Sequence, residues 1–108
     1  MAKLKRNATL KELQKYVMDV CMERGWYQDT HLEKVLLLTE EIGELMKAIR
    51  QNSHIYDEPK KRKKRHALEE EIADVLSYLI DLANYYNIDI ETAFRKKEKL
   101  NSKRNWKS

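Results

Sequence analysis

The segment VLLLTEEIGELMKAI, residues 35–49, is the most informative part of this chain. Its apolar residues return every three or four positions, which is the period of an α-helix with one apolar face. The segment lacks proline and is rich in Leu and Glu, which both favour helix. We therefore predict a long helix from about residue 31 to about residue 51. Its main apolar stripe consists of Val35, Leu38, Ile42, Leu45 and Ile49.

Signals for helix ends lie on both sides of this segment. Thr9 and Glu12 form a capping box that opens a first helix, and Gly25 is suited to end it. Asp29 or Thr30 is expected to cap the second helix. The pattern predicts one all-α domain over residues 1–108, with its core at about 9–105 and helices at about 9–24, 31–51, 66–87 and 90–102.

The composition excludes several classes of protein. The 108 residues suit one domain, and two Gly and one Pro provide few of the turns that a sheet protein needs. An apolar share of 42% is too high for a disordered chain, although 37% of the residues are charged. A single cysteine cannot form an internal disulfide, and no stretch resembles a signal peptide or a membrane span. We therefore expect a cytoplasmic protein that does not bind membranes.

Four acidic residues stand next to apolar positions on the second and third helices. At about 100° per residue, Glu41 and Glu44 share a narrow stripe with Leu37 and Ala48. The third helix repeats this pattern on a stripe of Ala67, Glu71, Asp74, Tyr78 and Tyr85. Asp81 is expected further round the third helix, towards solvent. The two acid pairs therefore share a design that ordinary surface acids do not need.

Carboxylates among apolar groups are costly unless a cation neutralises them. If the second and third helices pack antiparallel, the two pairs face each other across one groove. Mg²⁺ or Mn²⁺ fits such an oxygen-rich site, and neither pair has the His partner of a di-iron bundle. The alternative is a solvated acidic face that pairs with neighbouring Lys and Arg. Two pairs, each framed by apolar residues, favour the metal site.

The fourth helix provides a separate indication. An inward stripe is predicted to consist of Ile90, Ala93, Phe94, Lys97, Asn101 and Arg104. A stripe that changes from apolar to cationic is expected to run from the core to the rim of a polar site, where Lys and Arg suit phosphate oxygens. The alternative is a last turn that frays into solvent and carries cations because they suit the helix dipole.

Together these residues resemble a known family. The sequence LTEEIGEL at 38–45, followed by EIADVL at 71–76, resembles the Glu-x-x-Glu and Glu-x-x-Asp signature of the MazG-like all-α nucleoside triphosphate pyrophosphohydrolases. Gly25-Trp26, Asp29-Thr30-His31 and the spacing of the polar residues on the fourth helix are also similar to that family. The resemblance covers roughly residues 9–105, and it implies a four-helix bundle-type MazG-like fold.

The resemblance also implies an activity. Members of this family cleave a nucleoside triphosphate between its α- and β-phosphates and release a monophosphate and pyrophosphate, with Mg²⁺ as the cofactor and Mn²⁺ as a possible substitute. When the roles of the family's motif residues are carried over to this sequence, the resemblance implies that the catalytic and metal-binding residues are Glu41, Glu44, Glu71 and Asp74. One of these acids, or Glu40 behind them, would accept the proton of the attacking water.

The resemblance extends to the contacts with the substrate. Carried over in the same way, the phosphate ligands are Lys97, Asn101 and Arg104. The candidates for contact with the base or sugar are Trp26, His31 and Tyr78. For Trp26 the residues alone leave a second interpretation open, a core position between the first two helices, and only the resemblance favours base stacking. The substrate would be a standard or aberrant NTP or dNTP, and the role would be to clean the nucleotide pool.

Two further expectations concern partners. The family forms dimers or tetramers, and the second and third helices carry more apolar circumference than one four-helix layer can bury, so we expect a homodimer or homotetramer. Trp106 is a candidate for such an interface.

The alternative function is a small nucleic-acid-binding module that uses the basic run 60–66 and the basic C-terminal tail. A homologue that binds nucleotide without cleaving it is a third possibility, which the complete set of four acids disfavours.

Overall fold

The computed structural model describes residues 1–26, 30–55 and 64–106, with side chains of the last range from residue 67 onward. The described residues form four α-helices and no strand: α1 (Leu10–Glu23), α2 (His31–Asn52), α3 (Lys64–Tyr85) and α4 (Ile90–Ser102). The predicted helix order and bounds are confirmed to within a few residues. The proposed cap Asp29 and most of the basic run 60–66 lie outside the described residues.

The helices begin where side chains can accept hydrogen bonds from free main-chain N–H groups. Thr9 and Glu12 form the predicted capping box at the start of α1. Thr30 caps α2 by accepting from the main-chain N–H of Glu33, and Asp89 caps α4 in the same way. After α1, Gly25 adopts a φ of 75°, a backbone conformation that glycine tolerates without strain.

Helices α2 and α3 pack against each other, α1 packs on α3, and α4 packs against α1. The order of contacts along α2 and α3 is antiparallel, because Lys34 pairs with Asp81 while Glu41 lies near Glu71. Among the described residues, the buried apolar side chains that form the small core are Val20, Cys21, Ala48, Ala67 and Ile80. The α2–α3 contact therefore follows the acidic stripes of both helices.

The main apolar stripes of α2 and α3 lie largely outside this core. Ile42 on α2 is 42% exposed, and Ile72 and Leu76 on α3 are 53% and 44% exposed. The radius of gyration is 16.8 Å, whereas a compact domain of this length has about 13 Å. A single chain thus leaves long apolar faces uncovered, as the surplus of apolar circumference in the sequence indicated.

The inward stripe predicted for α4 is wrong for the single chain. Phe94 is 67% exposed, Ala93 and Lys97 are also exposed, and only Ile90 and Asn101 on this stripe are partly buried. The physical reason is that, in the part of the chain that the structure describes, α1 is the main helix against which α4 packs, so most of the circumference of α4 faces solvent.

Within the described ranges, no helix is both long and apolar enough to cross a lipid bilayer.

Candidate active site

The antiparallel contact of α2 and α3 brings three acidic side chains together. One carboxylate oxygen from each of Glu41, Glu71 and Asp74 lies within 4.8 Å of the other two. Glu41 comes from the middle of α2, and the other two acids come from successive turns of α3. The sequence predicted this juxtaposition, on the condition that the two helices run antiparallel.

The three acids repel one another, and two of them, Glu41 and Glu71, are partly buried. Burial is the main cause that raises the pKa of Glu41 above its ordinary value of 4.5, and the charges of Asp74 and Glu71 add to it. Glu41 and Glu71 are close enough to share a hydrogen bond. Oxygen Oε2 of Glu71 is nevertheless buried and finds no hydrogen-bond partner among the described residues. An orphaned carboxylate oxygen beside two others fits a bound cation, because a cation would satisfy it and remove the repulsion.

Glu44, the fourth predicted ligand, stands apart from this group. Its side chain is exposed one turn further along α2, and the cluster of close oxygens does not include it. Its role as a metal ligand stays a prediction. Glu40, the candidate proton acceptor behind the acids, is also exposed.

A groove between α1 and α3 leads away from the acids. It has a volume of about 230 Å³, and it is lined by Tyr16, Val17, Val20, Cys21, Arg24, Trp26, Asp74, Ser77, Tyr78 and Asp81. Asp74 belongs both to this lining and to the acidic cluster, so the groove and the cluster are continuous. The groove has mixed apolar and polar walls, which are typical of a site for a small organic ligand.

The groove also contains two of the three residues predicted to contact the base or sugar. Trp26 is 47% exposed, and the guanidinium of Arg24 lies 5.0 Å from its ring centre. Tyr78 follows Asp74 by one turn, and burial together with the charges of Glu41 and Asp74 raises the pKa of its hydroxyl. That hydroxyl therefore stays protonated and can donate a hydrogen bond. Trp26 is not the core position that the residues alone left open.

The other predicted ligands lie elsewhere in the chain. The ring centre of His31 lies 5.9 Å from that of Tyr85, and His31 does not contribute to the described lining of the groove. The three predicted phosphate ligands are also absent from that lining: Lys97 and Asn101 are on α4, and Arg104 follows its C-terminal end. Asn101 still has a buried Oδ1 with no hydrogen-bond partner among the described residues. The assignments of these four residues stay predictions.

Sequence reasoning missed an ion pair beside the groove. Nζ of Lys34 lies 2.8 Å from Oδ2 of Asp81, and the two side chains are only 4% and 17% exposed. The prediction that Asp81 points towards solvent is wrong, because the inward face of α3 follows the acidic stripe and not the main apolar one. The signal was present in the spacing, since Lys34 precedes Glu41 by two helical turns and Asp81 follows Asp74 by the same interval.

Comparison with known proteins gives a consistent family. The MazG nucleotide pyrophosphohydrolase domain matches residues 29–107. The dCTP pyrophosphatase 1 of Rattus norvegicus is 33% identical over 99 residues, and that of Homo sapiens is 31% identical over the same length. Each match covers 89% of this chain and 58% of the mammalian protein, so the chain spans less than two thirds of these relatives.

Two proteins of Bacillus subtilis match over nearly their whole length. The uncharacterized protein YvdC of strain 168 is 28% identical over 100 residues, which are 88% of this chain and 94% of that protein. The crystal structure of YPJD shares 31% sequence identity with this chain and has a TM-score of 0.75. The match covers 94% of this chain and 100% of the solved chain.

Proposed function

The chain belongs to the MazG nucleotide pyrophosphohydrolase family, and on this basis we propose that it hydrolyses a nucleoside triphosphate between the α- and β-phosphates. The products would be a nucleoside monophosphate and pyrophosphate. The observation that carries this proposal is the cluster of Glu41, Glu71 and Asp74 at one end of the groove that Trp26 and Tyr78 line. This arrangement would provide a site for a cation and phosphates next to a site for a base.

The cofactor in this proposal is Mg²⁺, with Mn²⁺ as a possible substitute. Glu41, Glu71 and Asp74 would hold the ion, and Glu44 is the proposed fourth ligand. Hard divalent cations of this kind prefer carboxylate oxygens, and the site contains no nitrogen or sulfur ligand among its described members. When bound, the ion would neutralise the polyphosphate, polarise the attacked phosphorus and lower the pKa of a water molecule.

The chain's own residues would bind and orient the nucleotide. Trp26 would stack on the base, and the protonated hydroxyl of Tyr78 would donate a hydrogen bond at the junction of the groove and the cluster. One of the four acids, or Glu40, would accept the proton of the attacking water. The phosphates would be bound by Lys97, Asn101 and Arg104, and His31 remains a further candidate for contact with the base or sugar.

The proposed assembly is a homodimer or homotetramer. Ile42 on α2 and Ile72 and Leu76 on α3 are all more than 40% exposed in the single chain. A second copy would bury these faces in the manner of other helix bundles, and contiguous apolar surface of this kind marks a contact site.

The biological role in this proposal is to remove standard or aberrant NTPs or dNTPs from the pool. Three mammalian relatives carry the name dCTP pyrophosphatase 1, and this chain shares their family but covers little more than half of their length. The competing hypothesis is a nucleic-acid-binding module built on the basic run 60–66 and the C-terminal tail. A cluster of carboxylates that would repel phosphates without a cation favours the enzyme.

The experiment is an assay of the full chain with a panel of NTPs and dNTPs, with Mg²⁺, with Mn²⁺ and with EDTA. We expect monophosphate and pyrophosphate in the presence of the metal and no turnover with EDTA. Glu71→Gln and Asp74→Asn should each lower kcat/KM by about 100-fold or more, because each removes one charged ligand.

The matched control is Asp19→Asn, which alters an exposed acid that pairs with Lys15 on α1. It should leave turnover unchanged. Release of orthophosphate, turnover in EDTA, or full activity of both site variants would contradict the proposal. A salt-dependent shift of DNA that survives both substitutions, without turnover of any nucleotide, would support the nucleic-acid-binding alternative instead.

A further inference from the structure

The ion pair of Lys34 and Asp81 is a buried polar feature beside the groove that the proposed chemistry leaves unused. Oδ2 of Asp81 lies 2.8 Å from Nζ of Lys34, and Oδ1 accepts a hydrogen bond of 3.5 Å from the thiol of Cys21. Lys34 comes from α2, Asp81 from α3 and Cys21 from α1. The carboxylate of Asp81 is therefore held by all three helices that surround the groove and the acidic cluster.

This pair is hard to explain as a device for stability alone. Lys34 is 3% exposed, and the removal of an ammonium group and a carboxylate from water costs more than the packing of apolar side chains of similar volume. A pair of apolar residues at these two positions would join α2 to α3 at least as well. The two charges are therefore better explained by a polar contact with a ligand that enters the groove.

Asp81 is the member of the pair that the groove exposes. It lines the groove together with Trp26 and Tyr78, while Lys34 lies behind it and is not part of the described lining. A carboxylate oxygen has more than one lone pair, so Asp81 can keep its contacts with Lys34 and Cys21 and still accept a hydrogen bond from a ligand. Lys34 would keep this carboxylate fixed in direction.

We infer that Asp81 selects nucleotides whose base carries an exocyclic amino group, with Lys34 as its positioning residue. This inference rests on the proposed function, because it assigns the base to the groove that leads from the acids. Trp26 offers a face on which any base can stack, whereas a carboxylate on the wall discriminates at the edge of the ring. It accepts an N–H from the amino group of cytosine, adenine or guanine. It repels the carbonyl oxygen that replaces this group when cytosine is compared with uracil or adenine with hypoxanthine, and it gains no hydrogen bond from the C–H that hypoxanthine has in place of the amino group of guanine.

The test compares pairs of substrates that differ in one amino group. Values of kcat/KM are measured for dCTP against dUTP, and for dATP and dGTP against dITP, with the full chain and Mg²⁺. At least one amino-bearing substrate should be preferred by about tenfold or more, which corresponds to a hydrogen bond to a charged group. The pyrimidine and purine comparisons identify which base fits the groove.

Asp81→Asn should reduce this preference by about tenfold, because an amide can donate to a carbonyl oxygen as well as accept from an amino group. Lys34 would lose its counter-charge in this variant, so the double variant Lys34→Met/Asp81→Met is made beside it. The double variant replaces both charges by apolar side chains and should fold, turn over nucleotides and show no preference for the amino group. Asp19→Asn is the matched control and should keep the preference of the wild type.

The outcomes separate this inference from the proposed function. Equal kcat/KM within every one of these substrate pairs in the wild type would overturn the role of Asp81 and leave the hydrolase intact. A preference that persists in a folded double variant would overturn it as well. If no nucleotide of the panel yields pyrophosphate, the proposed function itself fails and this inference fails with it.

Discussion

Gln14 provides the most direct test of how the single chain positions α4. Its amide nitrogen donates to Oδ1 of Asn84 at 3.1 Å and to the carbonyl of Ile88 at 2.9 Å, and its Oε1 accepts from the main-chain N–H of Ile90 at 2.8 Å. The side chain is 7% exposed and joins α1 to the end of α3 and the start of α4. Gln14→Leu keeps the approximate volume but removes all three hydrogen bonds.

The expected loss follows from the partners that remain. Three polar atoms lose their partner, and each such loss costs about 1 kcal/mol when water can replace it and up to about 3 kcal/mol when it cannot. Because these bonds are only partly buried, we expect the free energy of unfolding to fall by about 2–4 kcal/mol. Urea denaturation followed by circular dichroism, at one fixed protein concentration, measures this change.

The reasoning can be refuted by two results. A loss below about 1 kcal/mol would show that the network contributes little. The double variant Gln14→Leu/Asn84→Leu should lose less than the sum of the two single variants, because both members of one side-chain hydrogen bond are then apolar, and strict additivity would show that they do not interact. The control Lys15→Leu changes an exposed residue of the same helix and should alter the free energy of unfolding by no more than about 0.5 kcal/mol.

Three further predictions concern the acids and the exposed faces. The pKa of Glu41 is raised, so its protonation stabilises the metal-free fold fully below about pH 4.5, and this contribution disappears as the pH rises through the pKa of the folded state. In EDTA, Glu41→Gln should therefore reduce the loss of stability that the wild type shows above pH 4.5. The same variant should also abolish the rise in Tm on addition of Mg²⁺. The pKa of Glu12 is lowered to about 2, chiefly by the hydrogen bond from the main-chain N–H of Thr9. Its contribution to the stability of the fold is therefore present above pH 4.5 and is lost as the pH falls towards 2. Glu12→Gln should weaken the acid-induced loss of helix measured by circular dichroism. Ile72→Glu places a charge on the exposed face of α3 and should turn the expected dimer or tetramer into a monomer by light scattering, whereas a wild-type monomer would refute that assembly.

The sequence predicted the helices well because their ends depend on local chemistry. A hydroxyl or carboxylate that accepts from an N–H three residues later needs nothing from the rest of the chain. Thr9 does this as predicted, and Thr30 is one of the two residues predicted to cap α2. The pairing of acids at a spacing of three residues is likewise a local fact. The placement of Glu41, Glu71 and Asp74 in one cluster needed only the further assumption of antiparallel packing.

The direction in which each helix faces was harder to predict. The largest apolar stripes normally identify the core, yet here Ile42, Ile72 and Leu76 stay exposed and the acidic stripes make the α2–α3 contact. An apolar pattern shows that a surface is to be buried, but it does not say whether the same chain buries it. This ambiguity led to the wrong orientation of Asp81 and to the wrong inward face of α4.

By itself, then, the sequence determined the four helices, the acid pairs and the family that they resemble, because all of these are set by spacing along the chain. Only the tertiary structure decided which acids meet, that Trp26 and Tyr78 line one groove, and that Lys34 lies buried against Asp81. These are contacts between residues far apart in sequence. They depend on the rotation of each helix about its axis, which the packing of neighbouring helices sets.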